Sequence, residues 1–217
     1  MISNSTTASK VAEKLLQIKA IKLNPKEPFT WASGLRSPIY CDNRVTLSYP
    51  EIRTFIKKQL TEAVNNGYEK PDVIAGVATA GIPQGVLIAQ ELDLPFIYVR
   101  SAKKSHGMTN QIEGYYEKGQ KVVVVEDLVS TGKSSLLAVD ALRDAGLEVL
   151  GMVAIFTYGL KVADKNFAAK QCPLITLSDY DHLIKQALAS NYIQKEEQET
   201  LMEWRKDPQA WSDQFNQ

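Results

Sequence analysis

Glu126 and Asp127 follow directly on four valines, Val122–Val125, and Ser130-Thr131-Gly132-Lys133-Ser134 begins three residues later. Carboxylates accept hydrogen bonds from hydroxyl groups. A hydroxyl-rich turn that opens a helix offers N–H groups and a positive helix end to one phosphate monoester. Gly132-Lys133-Ser134 also matches the tail of the loop that grips nucleoside triphosphates, G-x-x-x-x-G-K-[ST]. Where that loop needs its first glycine, however, stands Asp127, with Glu126 beside it. Two carboxylates against a triphosphate cost several kcal/mol in repulsion and desolvation, which excludes that loop. A helix cap formed by Ser130 or Thr131 accounts for the hydroxyls and the glycine. It does not account for two acids ending an apolar strand, where ionised groups are costly unless they have a task. A sugar diol next to a phosphate satisfies both features, and ribose 5-phosphate carries both.

Two further segments belong with this one. GVATAGIP, Gly76–Pro83, has small residues that let N–H groups approach an anion and a following helix to add its positive end; taken alone it also fits an ordinary strand–helix turn. RSAKKSHGMTNQIEG, Arg100–Gly114, is too polar to pack and carries Arg100, Lys103, Lys104 and His106, with Gly107 and Gly114 as hinges. Most charge runs are solvated loops. This one is expected to leave the same edge of the fold as the acids, where cations suit a lid over a charged leaving group. His182, the other histidine, reads as a surface or capping residue. Trp31, Trp204 and Trp211 are too scattered for a base-stacking platform and read as packing residues.

The elements that must position these residues follow from periodicity. Val11, Leu15, Leu16 and Ile18 predict a helix over 5–20, and Ile52, Phe55, Ile56, Leu60, Ala63 and Val64 predict another over 50–66, opened by Pro50 and closed by Asn66-Gly67. Between them, 24–44 is rich in turn formers and aromatics and reads as a small hairpin or hood. From Pro71, strands over 72–77, 95–100, 121–127, 148–156 and 174–177 are read, with helices over 81–92 and 132–145 and a helical tail from Asp179. Apolar strands without alternation, joined by helices, predict an α/β fold with a mostly parallel central sheet flanked by helices. Ligands of such sheets sit beyond the carboxyl ends of the strands.

Composition narrows the function class. The 217 residues carry 25 Lys plus Arg and 25 Asp plus Glu, so no net charge draws the chain to nucleic acid or to a membrane. Two cysteines, Cys41 and Cys172, suit free thiols in a reducing cytosol better than a disulfide framework or a metal site. The start, MISNSTTASK, has no apolar signal core, and no apolar run is long enough to span a bilayer. A cytoplasmic protein is expected.

The acid–acid–apolar–apolar–Ser–Thr–Gly–Lys–Ser run resembles the signature of the type I phosphoribosyltransferases. PFTWASGLRSPIYCDNR, GVATAGIP, YVRSAKKSHG and VVVVEDLVSTGKSS, in this order and spacing, resemble the orotate phosphoribosyltransferases of that family, from about residue 21 to 159. The resemblance implies one type I phosphoribosyltransferase domain over 1–217, with hood and helices over about 1–66, sheet core over 67–177 and C-terminal helices over 178–217. It implies transfer of ribose 5-phosphate from 5-phosphoribosyl 1-pyrophosphate to orotate in pyrimidine synthesis, in a homodimer with shared active sites. Mg²⁺ is implied as cofactor, held mainly through the substrate and not by a protein metal site. Glu126 and Asp127 would hold the ribose hydroxyls, with Leu128 and Val129 behind them. Ser130, Thr131, Gly132, Lys133 and Ser134 would hold the 5-phosphate, Ser130 also near orotate. Arg100, Lys104 and His106 would reach the pyrophosphate from the neighbouring subunit, with Gly76–Gly81 on its other side. Lys104, His106 and Asp127 are the catalytic expectations.

The chain also departs from its resemblance. Ala32 and Ala80 stand where lysines can occur, Ser101 where a second lysine is common, and Tyr158 where some members carry an arginine for orotate. The orotate carboxylate is therefore expected on N–H groups and on Arg36 or Arg44. A phosphoribosyltransferase for another nucleobase and a non-catalytic regulator that binds nucleic acid remain as alternatives. The hood speaks against the first, and the zero net charge with Lys104 and His106 against the second.

Overall fold

The computed structural model describes residues 2–100 and 111–215. Asn4 opens α1 (Ser5–Gln17) by accepting the N–H groups of Thr6 and Thr7, and Ala8, Val11, Ala12, Leu15 and Leu16 form its buried stripe. The hood follows as four short strands, β1 (Ile21–Leu23), β2 (Phe29–Thr30), β3 (Arg36–Ser37) and β4 (Ile39–Cys41). β1 pairs antiparallel with β4 and β2 with β3. A 3₁₀ turn (Asn43–Ser48) leads into α2 (Pro50–Gly67), which Pro50 starts at its first position.

The alternating part runs β5 (Val73–Val77), α3 (Gly81–Leu92), β6 (Phe96–Val99), β7 (Ile112–Glu113), β8 (Lys121–Val129), α4 (Lys133–Asp144), β9 (Glu148–Thr157), α5 (Lys161–Ala169) and β10 (Leu174–Asp179). Helices α6 (Tyr180–Ala189), α7 (Lys195–Lys206) and α8 (Pro208–Asp213) complete the chain. The six strands lie in the order β10-β9-β8-β5-β6-β7. All pairs are parallel except β6 with β7. The valines of β8 serve both faces: Val123 and Val125 join the core under α1, α2 and the C-terminal helices, while Val122 and Val124 join the core under α4 and α5. The fold class expected from the sequence is the one found.

From β5 the chain moves outward to β6, then returns to the other side of β5 and moves outward again through β8, β9 and β10. Strand order therefore reverses between β5 and β8, and a crevice opens there at the carboxyl ends. β8 runs further than its apolar residues predict: Glu126 pairs with Ala154 and Leu128 with Phe156, so the two acids sit inside the ladder with β9 and not past its end. α5, β7 and the 3₁₀ turn were not expected from the sequence.

Candidate active site

The crevice holds a cleft of about 360 Å³. One wall is Val77–Ala80 after β5, with Val99, Arg100 and Gln111; the other is Glu126, Asp127 and Leu128 of β8 with Ser130, Thr131, Gly132, Ser134 and Ser135 leading into α4. Gly81 brings the two walls together, since a Cβ there would lie 2.3 Å from the Val125 carbonyl oxygen. The Ala78–Thr79 peptide of the first wall is cis.

Glu126 is 6% exposed. Its Oε2 accepts from Ser135 Oγ at 2.9 Å and its Oε1 from the Asp127 N–H at 3.1 Å. Burial, and then the neighbouring Asp127 charge, push its carboxyl well above the usual range. Burial raises Asp127 too, against hydrogen bonds from Glu126 and the main chain that lower it. Burial therefore disfavours the ionised form of both carboxyls, and hydrogen bonds from a hydroxyl-bearing ligand would offset that cost.

Gly132 takes φ +75 at the start of α4 and brings no capping side chain. The Lys133 N–H donates to Thr131 Oγ1 at 3.4 Å, and Ser134 and Ser135 of the same turn line the cleft beside the positive end of α4. Asn166 of α5 holds the turn from behind, donating to the Thr131 carbonyl at 2.9 Å. Arg100 ends β6 with its Nη1 3.5 Å from Glu113 Oε1. Its N–H donates to the Gln111 carbonyl at 2.9 Å, and Gln111 Nε2 donates back to the Arg100 carbonyl at 3.0 Å, so these two residues stand side by side in the cleft wall.

A second cleft of about 540 Å³ shares Ser130 and Thr131 with the first and is lined by Trp31, Ser33, Gly34 and Leu35 of the hood and by Gln209 and Ser212 of α8. Tyr158, 2% exposed, lies beneath the hood, stacked on Trp31 at 5.6 Å and edge-on to Trp204 at 5.4 Å. Its slot is filled by aromatic rings. Arg36 Nη1 donates to Thr30 Oγ1 at 2.8 Å, and Arg44 is held by both oxygens of Asp42, at 2.6 and 2.9 Å; neither lines the second cleft.

Of the residues singled out in the sequence, Arg100, Glu126, Asp127, Leu128, Ser130, Thr131, Gly132 and Ser134 meet in one cleft, and Ser130 reaches both. The side chains of Val129, which is buried, and Lys133, which is exposed, do not line it. Ser101, Lys103, Lys104, His106 and Gly107 lie outside the described residues. His182 lies in the first turn of α6, which Asp179 caps: its N–H and Nδ1 both meet Asp179 Oδ1, at 2.9 and 2.7 Å, and its Nε2 lies 3.0 Å from Ser5 Oγ. Beside that serine–histidine–aspartate row the N–H groups of Thr6 and Thr7 are already taken by Asn4, so these two do not serve as oxyanion donors. The roles of Ser135, Gln111, Asn166, Gln209 and Ser212 escaped the sequence reading. Only Ser135, next to the phosphate turn, carried a local signal.

Residues 48–187 match the family described as phosphoribosyl transferase domain, and the switch-point cleft, acid pair and glycine-started turn are what such a domain needs. The chain belongs to the phosphoribosyltransferase family, and within it to the orotate phosphoribosyltransferases. The orotate phosphoribosyltransferase of Listeria innocua is 57% identical over 201 residues, which are 93% of this chain and 96% of that protein. The crystal structure of orotate phosphoribosyltransferase from Aeropyrum pernix, 27% identical, superposes with a TM-score of 0.73 over 85% of this chain and 99% of that one. The UMP synthase of Leishmania donovani, 29% identical with a TM-score of 0.74, is matched over 91% of this chain, which spans 42% of that protein. No described helix is long and apolar enough to cross a membrane.

Proposed function

We propose that the chain transfers ribose 5-phosphate from 5-phosphoribosyl 1-pyrophosphate to orotate, giving orotidine 5-monophosphate and pyrophosphate in the cytoplasm. The observation that carries this reading is the meeting, in one cleft, of the buried Glu126 and half-buried Asp127 carboxyls with the glycine-started first turn of α4. A ribose 5-phosphate fits with its 5-phosphate on Ser130–Ser134 and its hydroxyls on Glu126 and Asp127. Its anomeric carbon then faces the second cleft, where Trp31, Ser33, Gly34 and Gln209 receive the base. None of the described residues that line that cleft is cationic, so neutral donors of the hood and of α8 meet the orotate carboxylate.

Departure of pyrophosphate leaves positive charge on the ribose, and the site has three tasks: to position the sugar, exclude water and neutralise the leaving group. Asp127 and Glu126 fix the sugar and stabilise its developing charge. Arg100 faces the pyrophosphate together with the backbone of Ala78–Gly81. Lys104 and His106 cover it from the partner subunit of a homodimer. The donor set fits Mg²⁺: Glu126 and Asp127 offer hard oxygen donors at the cleft, as suits an ion held mainly by substrate oxygens and water with one or two carboxylates nearby. When bound, Mg²⁺ offsets the charge of the pyrophosphate. The hood, sheet core and C-terminal helices act as one domain. Loss of orotate absorbance on adding phosphoribosyl pyrophosphate and Mg²⁺, with no reaction of uracil, adenine or hypoxanthine, tests the assignment; turnover of another base instead of orotate would overturn it.

A further inference from the structure

Past Val125, β8 loses its neighbour on one side. β5 pairs with it only as far as Gly76 opposite Val125, while the ladder with β9 runs on through Glu126 and Leu128. The main chain of Asp127, between those two ladder positions, faces the side that β5 has left. A buried carbonyl there needs another donor.

Asn43 supplies it. This residue opens the 3₁₀ turn and is 1% exposed. Its Nδ2 donates to the Asp127 carbonyl at 2.8 Å. Cys41 Sγ donates to its Oδ1 at 3.5 Å, and Thr46 Oγ1 to its main-chain oxygen at 2.6 Å. Thr46 accepts in turn from Gln84 Nε2 at 3.4 Å. Gln84 stands in the first turn of α3, directly after the Ala78–Gly81 wall. Asn43, Thr46 and Gln84 are all buried, so the chain of hydrogen bonds joins the two walls of the cleft from behind. None of the three touches the cleft itself.

We propose that Asn43 is a positioning residue: its carboxamide takes the place of the missing strand, holds the Asp127 peptide, and thereby aims the Asp127 carboxylate at the ribose. The assignment rests on the reading of Asp127 as the ribose clamp. Replacing Asn43 by Leu keeps its bulk but leaves the Asp127 carbonyl without a donor, and the peptide turns to find one.

A double-mutant cycle decides the matter, with Asn43→Leu, Asp127→Asn and the pair, each assayed for kcat and for the KM of both substrates. Asn43→Leu should lower kcat/KM for phosphoribosyl pyrophosphate at least tenfold while the KM for orotate stays within twofold. In the Asp127→Asn background the same change should cost less than twofold, because the aim of the carboxylate no longer matters. Equal fold losses in both backgrounds, or a loss of thermal stability alone, would overturn the proposal and leave the clamp reading intact. Wild-type kinetics for Asp127→Asn would overturn both. If Asn43→Leu does not fold, Asn43→Ala enters the same cycle, with at least a threefold loss expected in the Asp127 background and none in the other.

Discussion

At the scale of single residues, stability and function pull against each other at Glu126. A carboxyl whose value is raised in the folded state is most favourable to folding below its unfolded value, and that contribution is lost as pH rises through the folded value. The raised direction at Glu126 therefore predicts that the ligand-free protein loses stability as pH climbs above about 4.3, the unfolded value of a glutamate. Glu126→Gln keeps the shape and removes the buried charge; like the protonated acid it keeps one carbonyl oxygen to accept from Ser135 or the Asp127 N–H. It should be about 1–2 kcal/mol more stable than wild type at pH 8, and the difference should shrink toward zero near pH 4. Denaturant unfolding over a pH series checks this, and a pH-independent difference would contradict it. Asp127→Asn should retain the fold and lower kcat/KM by about 30- to 150-fold, the loss of roughly 2–3 kcal/mol carried by charged hydrogen bonds. These two acids were legible in the sequence because ionised groups beside four valines demand a reason. Asn43 was not, since its partner is a main-chain atom 84 residues away, and no spacing rule reaches that far.

At the scale of elements, the phosphate turn depends on a helix that carried no sequence signal. A Cβ at Gly132 would lie 2.5 Å from the Phe167 ring of α5, and φ +75 already disfavours any β-branched residue. Gly132→Val should remove measurable binding of phosphoribosyl pyrophosphate in calorimetry. Unchanged affinity would place the phosphate elsewhere. The long apolar strands were read to within a few residues because burial on both faces leaves no polar interruption. α5 escaped because nine residues with only Ala163 and Phe167 buried show no helical period. β7 and the hood strands are two or three residues long and exist only through their partners. Context also decides Tyr158. An arginine introduced there would enter a slot closed by Trp31, Trp204 and Phe156, where burial penalises its charge. Tyr158→Arg should cost about 3 kcal/mol or more in stability without tightening orotate binding, as thermal denaturation and the KM for orotate would show.

At the scale of the whole molecule, the proposed homodimer, with Lys104 and His106 serving the partner's site, would make every site a joint product of two chains. Lys104→Ala and Asp127→Asn, each nearly inactive alone, should complement when dissociated, mixed and reassociated: a mixed dimer has one site with both defects and one with none. Random pairing makes about half of the dimers mixed, so activity should recover to about a quarter of wild type. No recovery, once mass spectrometry has confirmed mixed dimers, would mean that each lid serves its own subunit. The bridge between Ile2 and Thr176, with the Ser3 N–H on the Thr176 carbonyl at 3.1 Å, also has a bearing on how the chain is made. α1 packs mainly on β10 and α6 and only lightly on α2 and β1, so most of its buried stripe waits for elements made more than 150 residues later. At about 5–20 residues per second this delay is roughly ten to thirty-five seconds. Throughout that interval Val11, Leu15 and Leu16 face the cell unpaired. The nascent chain is thus a natural client for a chaperone that shields a short amphipathic helix until translation has passed residue 190.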